Sequence, residues 1–152
     1  MIIKDLVKCR YFQAADNTYL CELLHPGREG LDLPFSIAHA ILQPGAASLP
    51  HRLKTSSEVY FILEGEGEMH MDSEKAAVRA GQAILIPPGS WQHIRNTGGF
   101  SLKFICIVNP FWRAEDEEVE EGAGVDKMVE WTEYTETIEV VDVLDEVGRD
   151  GP

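Results

Sequence analysis

Between Phe35 and Pro110, glycine and proline clusters cut the chain into short apolar runs, and this punctuation is what most limits the folds open to it. Phe35 to Leu42 is strand-like and stops at Pro44-Gly45. Glu58-Val59-Tyr60-Phe61-Ile62-Leu63 is rich in β-branched and aromatic residues and ends at Glu64-Gly65-Glu66-Gly67, where glycine supplies the positive φ of a tight hairpin. Met69-His70-Met71 follows as its partner. Ala83 to Ile86 is halted by Pro87-Pro88-Gly89, because two prolines remove ladder donors. His93 to Arg95 resumes the strand up to Asn96-Thr97-Gly98-Gly99, and Phe100 to Val108 closes the series. Upstream, Tyr19 to Leu24 is a further apolar run ending at His25-Pro26-Gly27. Short strands with no helical crossover between them predict an all-β, closed or double-sheet antiparallel architecture.

At 152 residues the chain suits one domain with a real core. Its net charge of −13 is unevenly placed: Met1 to Arg113 carries 11 acidic and 11 basic residues, and Ala114 to Pro152 carries 15 acidic and 2 basic. The division expected is therefore an N-terminal arm with strands over 1–34, a barrel over 35–113 and an acidic extension over 114–152. Such a tail repels phosphate backbones and anionic lipid, which argues against nucleic-acid or membrane partners and reads as a solubility device. Ala114 to Glu121 suggests a short helix, Thr135 to Val143 an edge strand or a loose arm, and Trp131 and Tyr134 packing on the barrel or a second subunit. Cys9, Cys21 and Cys106 show no CxxC spacing and no even count, so reduced thiols and a cytoplasmic protein are expected. The start MIIKDLVKCR has no apolar signal region, and no run approaches the length of a membrane span.

Side chains alternate faces along a strand, so His51 and Leu53 share a face, as do Glu58, Tyr60 and Ile62. Gln92, Ile94 and Asn96 share another parity, with His93 and Arg95 opposite. Glu58 inside an apolar strand must pair, ligate or shift its pKa. Its bland alternatives are a hydrogen bond to Tyr60 or a pair with Lys54. His25, His39, His70 and His93 read as loop, packing or surface residues, and Trp91 and Phe104 as core or pocket wall. The chain has no GxSxG, GxxxxGK[ST] or HExxH motif.

The stretches GAASLPHRLKTSSEVYFILEG (Gly45 to Gly65) and GQAILIPPGSWQHIRN (Gly81 to Asn96) together resemble the two motifs of the cupin family, and HRLKTSSEVYFILEGEGEMHMD with IPPGSWQHIRNTG is similar to small single-domain cupins. The resemblance implies a jelly-roll barrel holding a divalent metal. Of its four ligand positions His51 and Glu58 match, while Leu53 and Gln92 stand where two histidines would be, with His93 one place late. It implies a site of His51, Glu58 and Gln92 for Mn, Fe, Ni or Zn, completed by His39, His70 or His93. Tyr60 would be the proton donor. Two readings follow: a metal-dependent isomerase, oxygenase or decarboxylase acting on a sugar derivative or carboxylic acid, or a metal-poor protein binding a small molecule without catalysis. Family members commonly pair through barrel edges, which implies a homodimer.

Overall fold

The structure is a computed structural model, and it describes residues 1–120. Eleven strands appear among them: β1 (Phe12–Gln13), β2 (Tyr19–Leu24), β3 (Ser36–Leu42), β4 (His51–Leu53), β5 (Ser57–Glu64), β6 (Glu66–Met71), β7 (Glu74–Arg79), β8 (Ala83–Ile86), β9 (Gln92–Asn96), β10 (Leu102–Asn109) and β11 (Glu117–Val119). They form a six-stranded sheet in the order β1-β2-β3-β10-β5-β8 and a five-stranded sheet in the order β11-β4-β9-β6-β7, a two-sheet jelly roll as the punctuation predicted. Leu42, Ile62, Ile94, Leu102 and Phe104 are fully buried in the core between them, each contributed by alternate positions of its strand. β7, which the sequence reading did not identify, is an exposed edge strand. Its polar EKAAVR pattern gives no alternation to detect.

The hairpin glycines work by different means. Gly65 takes φ 85°, as a tight turn requires, whereas Gly67 does not have a positive φ. A Cβ on Gly67 would lie 2.6 Å from the Arg95 carbonyl oxygen, so it is close approach of β9 that demands glycine there.

Two expectations change. Ala114–Asp116 is a single 3-10 turn rather than a longer helix, and Glu117–Val119 pairs with β4, so the barrel's second sheet runs into the acidic segment. Thr135 to Val143, Trp131 and Tyr134 lie outside the described residues. The expectation of reduced thiols is corrected for Cys9 and Cys21, which are disulfide-bonded with Cα atoms 5.9 Å apart. The return of β2 after β1 brings them together across a turn, a tertiary neighbourhood that cysteine spacing does not reveal. Cys106 is a buried free thiol, held well above the usual range by burial and then by Glu58 and Asp16. Among the described residues no helix is long and apolar enough to cross a membrane.

Asp116 fastens the new segment to the barrel. Its carboxylate accepts from the Thr55 amide (2.9 Å), the Thr55 hydroxyl (2.7 Å) and the Ser56 amide (3.1 Å). Burial pushes its pKa up, but these hydrogen bonds outweigh burial and hold it below the ordinary value. A depressed carboxyl contributes stability above its unfolded pKa and loses it as pH falls through the folded value. Urea unfolding should therefore show Asp116→Asn costing about 1–3 kcal/mol at pH 7. The deficit should shrink in acid, and a cost unchanged between pH 7 and pH 3 would refute the assignment.

Candidate functional site

β4 and β9 of one sheet and β5 of the other turn four polar side chains toward each other across the barrel interior, on the inward parity expected from the sequence. His51, Glu58, Tyr60 and Gln92 are all buried. The register His51↔Gln92 puts two of them side by side across the β4–β9 pair. Gln92 Nε2 lies 2.7 Å from His51 Nε2, 2.8 Å from Tyr60 Oη and 3.1 Å from Glu58 Oε2. Tyr60 also packs on Phe104, with ring centroids 4.7 Å apart, so its ring is wall while its hydroxyl belongs to the cluster.

The far side of the imidazole fixes its tautomer. His51 Nδ1 donates to the Leu49 carbonyl oxygen at 2.7 Å, so the neutral ring keeps its Nε2 lone pair toward Gln92. The amide of Gln92 then has two hydrogens for three neighbours, while its Oε1 is buried without a partner. Turning the amide over reverses this: Oε1 would accept from the Tyr60 hydroxyl and from Nε2–H of a protonated His51. The two amide orientations thus suit the two protonation states of the ring.

Two further acids belong to this face, and sequence reasoning missed both. Asp16, in the turn between β1 and β2, is buried with Oδ2 3.6 Å from His51 Nε2. Glu117, half-buried on β11, stands in register with Leu53. Asp16 sits in the turn-forming run Ala-Asp-Asn-Thr and Glu117 in an acidic run, so neither carries a local signal of a site.

These charges set the site's titration. Burial lowers the His51 pKa, but the carboxylates of Asp16 and Glu58 and the Leu49 carbonyl overrule it, and the net shift is upward. Glu58 is raised to about 7, chiefly by burial, with Asp16 and Glu117 adding to the rise while His51 and a hydrogen bond from Tyr60 restrain it. Burial and then Glu58 keep Tyr60 protonated, well above its ordinary value. Glu117 is raised by burial and by Asp16, with His51 opposing.

The other histidines point elsewhere. His39 sits on the outer face of β3, where its Nδ1 meets Tyr11 Oη at 2.8 Å. His70 and His93 stack on each other with centroids 4.3 Å apart, on the parity of β6 and β9 opposite the core. His25 caps the short helix Pro26–Glu29 and bonds to the Trp112 carbonyl. None completes the cluster. Lys54 is exposed and Asn96, although on the inner face, is consumed by backbone contacts with Leu42, Phe100 and Gly98.

Residues 38–108 match the cupin domain. An uncharacterised protein of Methanocaldococcus jannaschii is 38% identical over 127 residues, covering 80% of this chain and all of that protein. The chain belongs to the cupin family. It is also 31% identical over 67 residues to an oxalate-binding protein of Thermotoga maritima, covering 44% of this chain and 55% of that one. Among solved structures, a predicted oxalate decarboxylase of Thermotoga maritima superposes with TM-score 0.64 at 22% identity, covering 71% of this chain and 98% of that one. A Streptomyces nucleoside dehydratase superposes with TM-score 0.65 at 18% identity, covering 79% and 91%. Both structures share the fold with this cupin.

A metal of the kind the family resemblance implies needs several donors converging on one point. Among the described residues no three His, Cys, Asp or Glu side chains are grouped so as to hold one. The interior of this cupin offers one imidazole with the nearby carboxylates, and Leu53, buried beside it, offers no donor. The described residues do not group into a site that fits a resident Mn, Fe, Ni or Zn ion.

Proposed function

We propose that this cupin binds a small, neutral, hydroxyl-bearing molecule at the His51 face of the barrel and moves a proton on it, as in an isomerisation or a dehydration. The observation that carries the reading is the convergence of His51, Glu58 and Tyr60 on the single amide of Gln92, with Gln92 Oε1 left as a buried acceptor that a ligand hydroxyl would satisfy. His51 is the base, its Nε2 kept as the unprotonated nitrogen by the Nδ1 bond to Leu49 and directed at Gln92. Glu58, raised to about 7, exchanges a proton near neutral pH, and Tyr60 remains a donor. Turning over of Gln92 lets its amide donate to the neutral ring before the transfer and accept from the cationic ring after it.

The charge around the cluster selects the ligand class. Asp16, Glu58 and Glu117 face one imidazole, so a dianion such as oxalate would meet net repulsion, while a sugar or nucleoside with uncharged hydroxyls would not. Calorimetric titration at pH 8 with neutral sugars, nucleosides and oxalate should show binding confined to the uncharged compounds. His51→Ala should weaken that binding by at least about tenfold, the loss of one hydrogen bond to a potentially charged group. Oxalate binding as tightly as any neutral compound would overturn the assignment.

Metal loading supplies an independent check. Protein purified without a histidine tag, stripped with chelator and soaked in Mn, Fe, Ni or Zn should retain less than about a tenth of an equivalent and keep its melting temperature. Stoichiometric retention abolished by Glu58→Gln would restore the metal-dependent reading.

A further inference from the structure

The turn that carries Asp16 is tied to His51 at both ring nitrogens. The Asp16 carbonyl accepts from the Leu49 amide at 2.7 Å, and the Leu49 carbonyl in turn holds His51 Nδ1. The Asp16 carboxylate meanwhile stands 3.6 Å from His51 Nε2, braced by the Thr18 amide on Oδ1 (3.0 Å) and the Thr18 hydroxyl on Oδ2 (2.9 Å). One turn therefore bears on both the tilt of the ring and the charge beside its Nε2.

That turn lies inside the loop closed by Cys9 and Cys21, 12 residues apart. Its two limbs are unequally held. β2 pairs with β3 over five residue pairs, whereas β1 is two residues long and pairs only with β2. Beside that ladder and the Tyr11–His39 hydrogen bond, the disulfide is a covalent anchor of the N-terminal limb on β2. Cys21 is fully buried, but Cys9 is partly exposed and lines a cavity of about 280 Å³ with Arg10, Phe12, Glu22, His25 and Arg28.

We propose that Asp16 is a positioning residue for His51 and that the Cys9–Cys21 bridge is a redox lock on it: oxidised, the bridge holds the turn against Leu49 and His51; reduced, it frees the limb and Asp16 withdraws. A dithiol reductant attacks the accessible Cys9 sulfur, breaking the protein S–S bond and releasing Cys21 as a thiolate that takes up a proton. The reductant's second thiol then displaces Cys9, so the protein gains two thiols and the dithiol becomes a disulfide. The lock concerns the geometry of His51 and holds whether or not the proposed substrate class is right, so its test uses no ligand.

The test is the ring-nitrogen NMR spectrum of His51, assigned with His51→Gln, in four samples of the full chain: oxidised, reduced with dithiothreitol, Cys9→Ser/Cys21→Ser, and Asp16→Asn. Thiol alkylation and intact mass establish the redox state of each sample, and circular dichroism establishes that each is folded. The expected result is that reduction and the double serine variant move the His51 signals in the same direction as Asp16→Asn. They should leave His70 and His93 in place. Three outcomes overturn it: His51 signals unchanged on reduction and in the double variant, His51 signals insensitive to Asp16→Asn, or two alkylatable thiols persisting at Cys9 and Cys21 after mild oxidation. Since Asp16→Asn keeps the bridge and nearly the same shape, it tests the positioning role even if reduction unfolds the arm.

Discussion

Replacing Asn96 by alanine is expected to cost about 3–4 kcal/mol, a large part of what holds a domain of this size together. Asn96 has no exposed surface, and its side chain closes three backbone contacts at once: Nδ2 donates to the Leu42 carbonyl (2.9 Å) and the Phe100 carbonyl (2.8 Å), and Oδ1 accepts from the Gly98 amide (2.9 Å). Truncation strands these groups in the interior, and the penalty for buried unpaired polar groups exceeds the value of any single bond. Because Leu42 ends β3 while Gly98 and Phe100 belong to the turn between β9 and β10, the residue ties the two sheets together at one end of the barrel. Urea unfolding of the variant should show a lower midpoint with an unchanged slope. Ile94→Val, an apolar trim at a neighbouring fully buried site, serves as the comparison and should cost only about 1 kcal/mol. If Asn96→Ala costs no more than that, the bonds contribute little.

The second large effect is an inversion of the usual stability response at Glu58. Its folded pKa of about 7 lies above the reference value of 4.5, so the native state binds the extra proton in that interval. Stability therefore falls as pH rises from the reference value through the folded one. Once both states are ionised, the buried carboxylate is worth about 3 kcal/mol against the fold. Glu58→Gln removes that penalty, because a neutral amide of the same shape still accepts from Gln92. The variant should thus be more stable than the natural chain at pH 8, by up to about 3 kcal/mol, and close to it at pH 5. His51 adds to the decline of the natural chain, since a raised imidazole contributes stability that is lost as pH rises through its folded value. Denaturation at both pH values decides the matter, and a Glu58→Gln protein less stable than the parent at pH 8 would mean that Glu58 is ionised at no cost. The same measurement bears on function, because the strain that makes Glu58 costly is what tunes it for proton exchange near neutrality.

The chain shows how a jelly roll is written in local signals. Gly65, the prolines at 87 and 88 and Gly89 end strands for reasons internal to a few residues, so the strands they bound were legible, and alternation placed His51, Glu58, Tyr60 and Gln92 on inner faces without any knowledge of the partners. β7 escaped because an edge strand exposed to solvent has no apolar alternation. The donor set was harder. His39, His70 and His93 were possible partners until the sheets showed them on outer faces, and Asn96 shared the site's parity while its side chain was already spent on backbone groups.

By itself, then, the sequence determined the architecture and the inward direction of the four central side chains, because strand period and turn chemistry act over a few residues. Only the tertiary structure decided what surrounds them. Asp16 arrives from a turn 35 residues before His51, Glu117 from a strand 59 residues after Glu58, and Cys9 finds Cys21 only once β2 has folded back on β1. Those meetings depend on the closing of the barrel, which brings distant acids to one imidazole and turns an inward-facing row of polar residues into a site with a charge, a tautomer and a pKa.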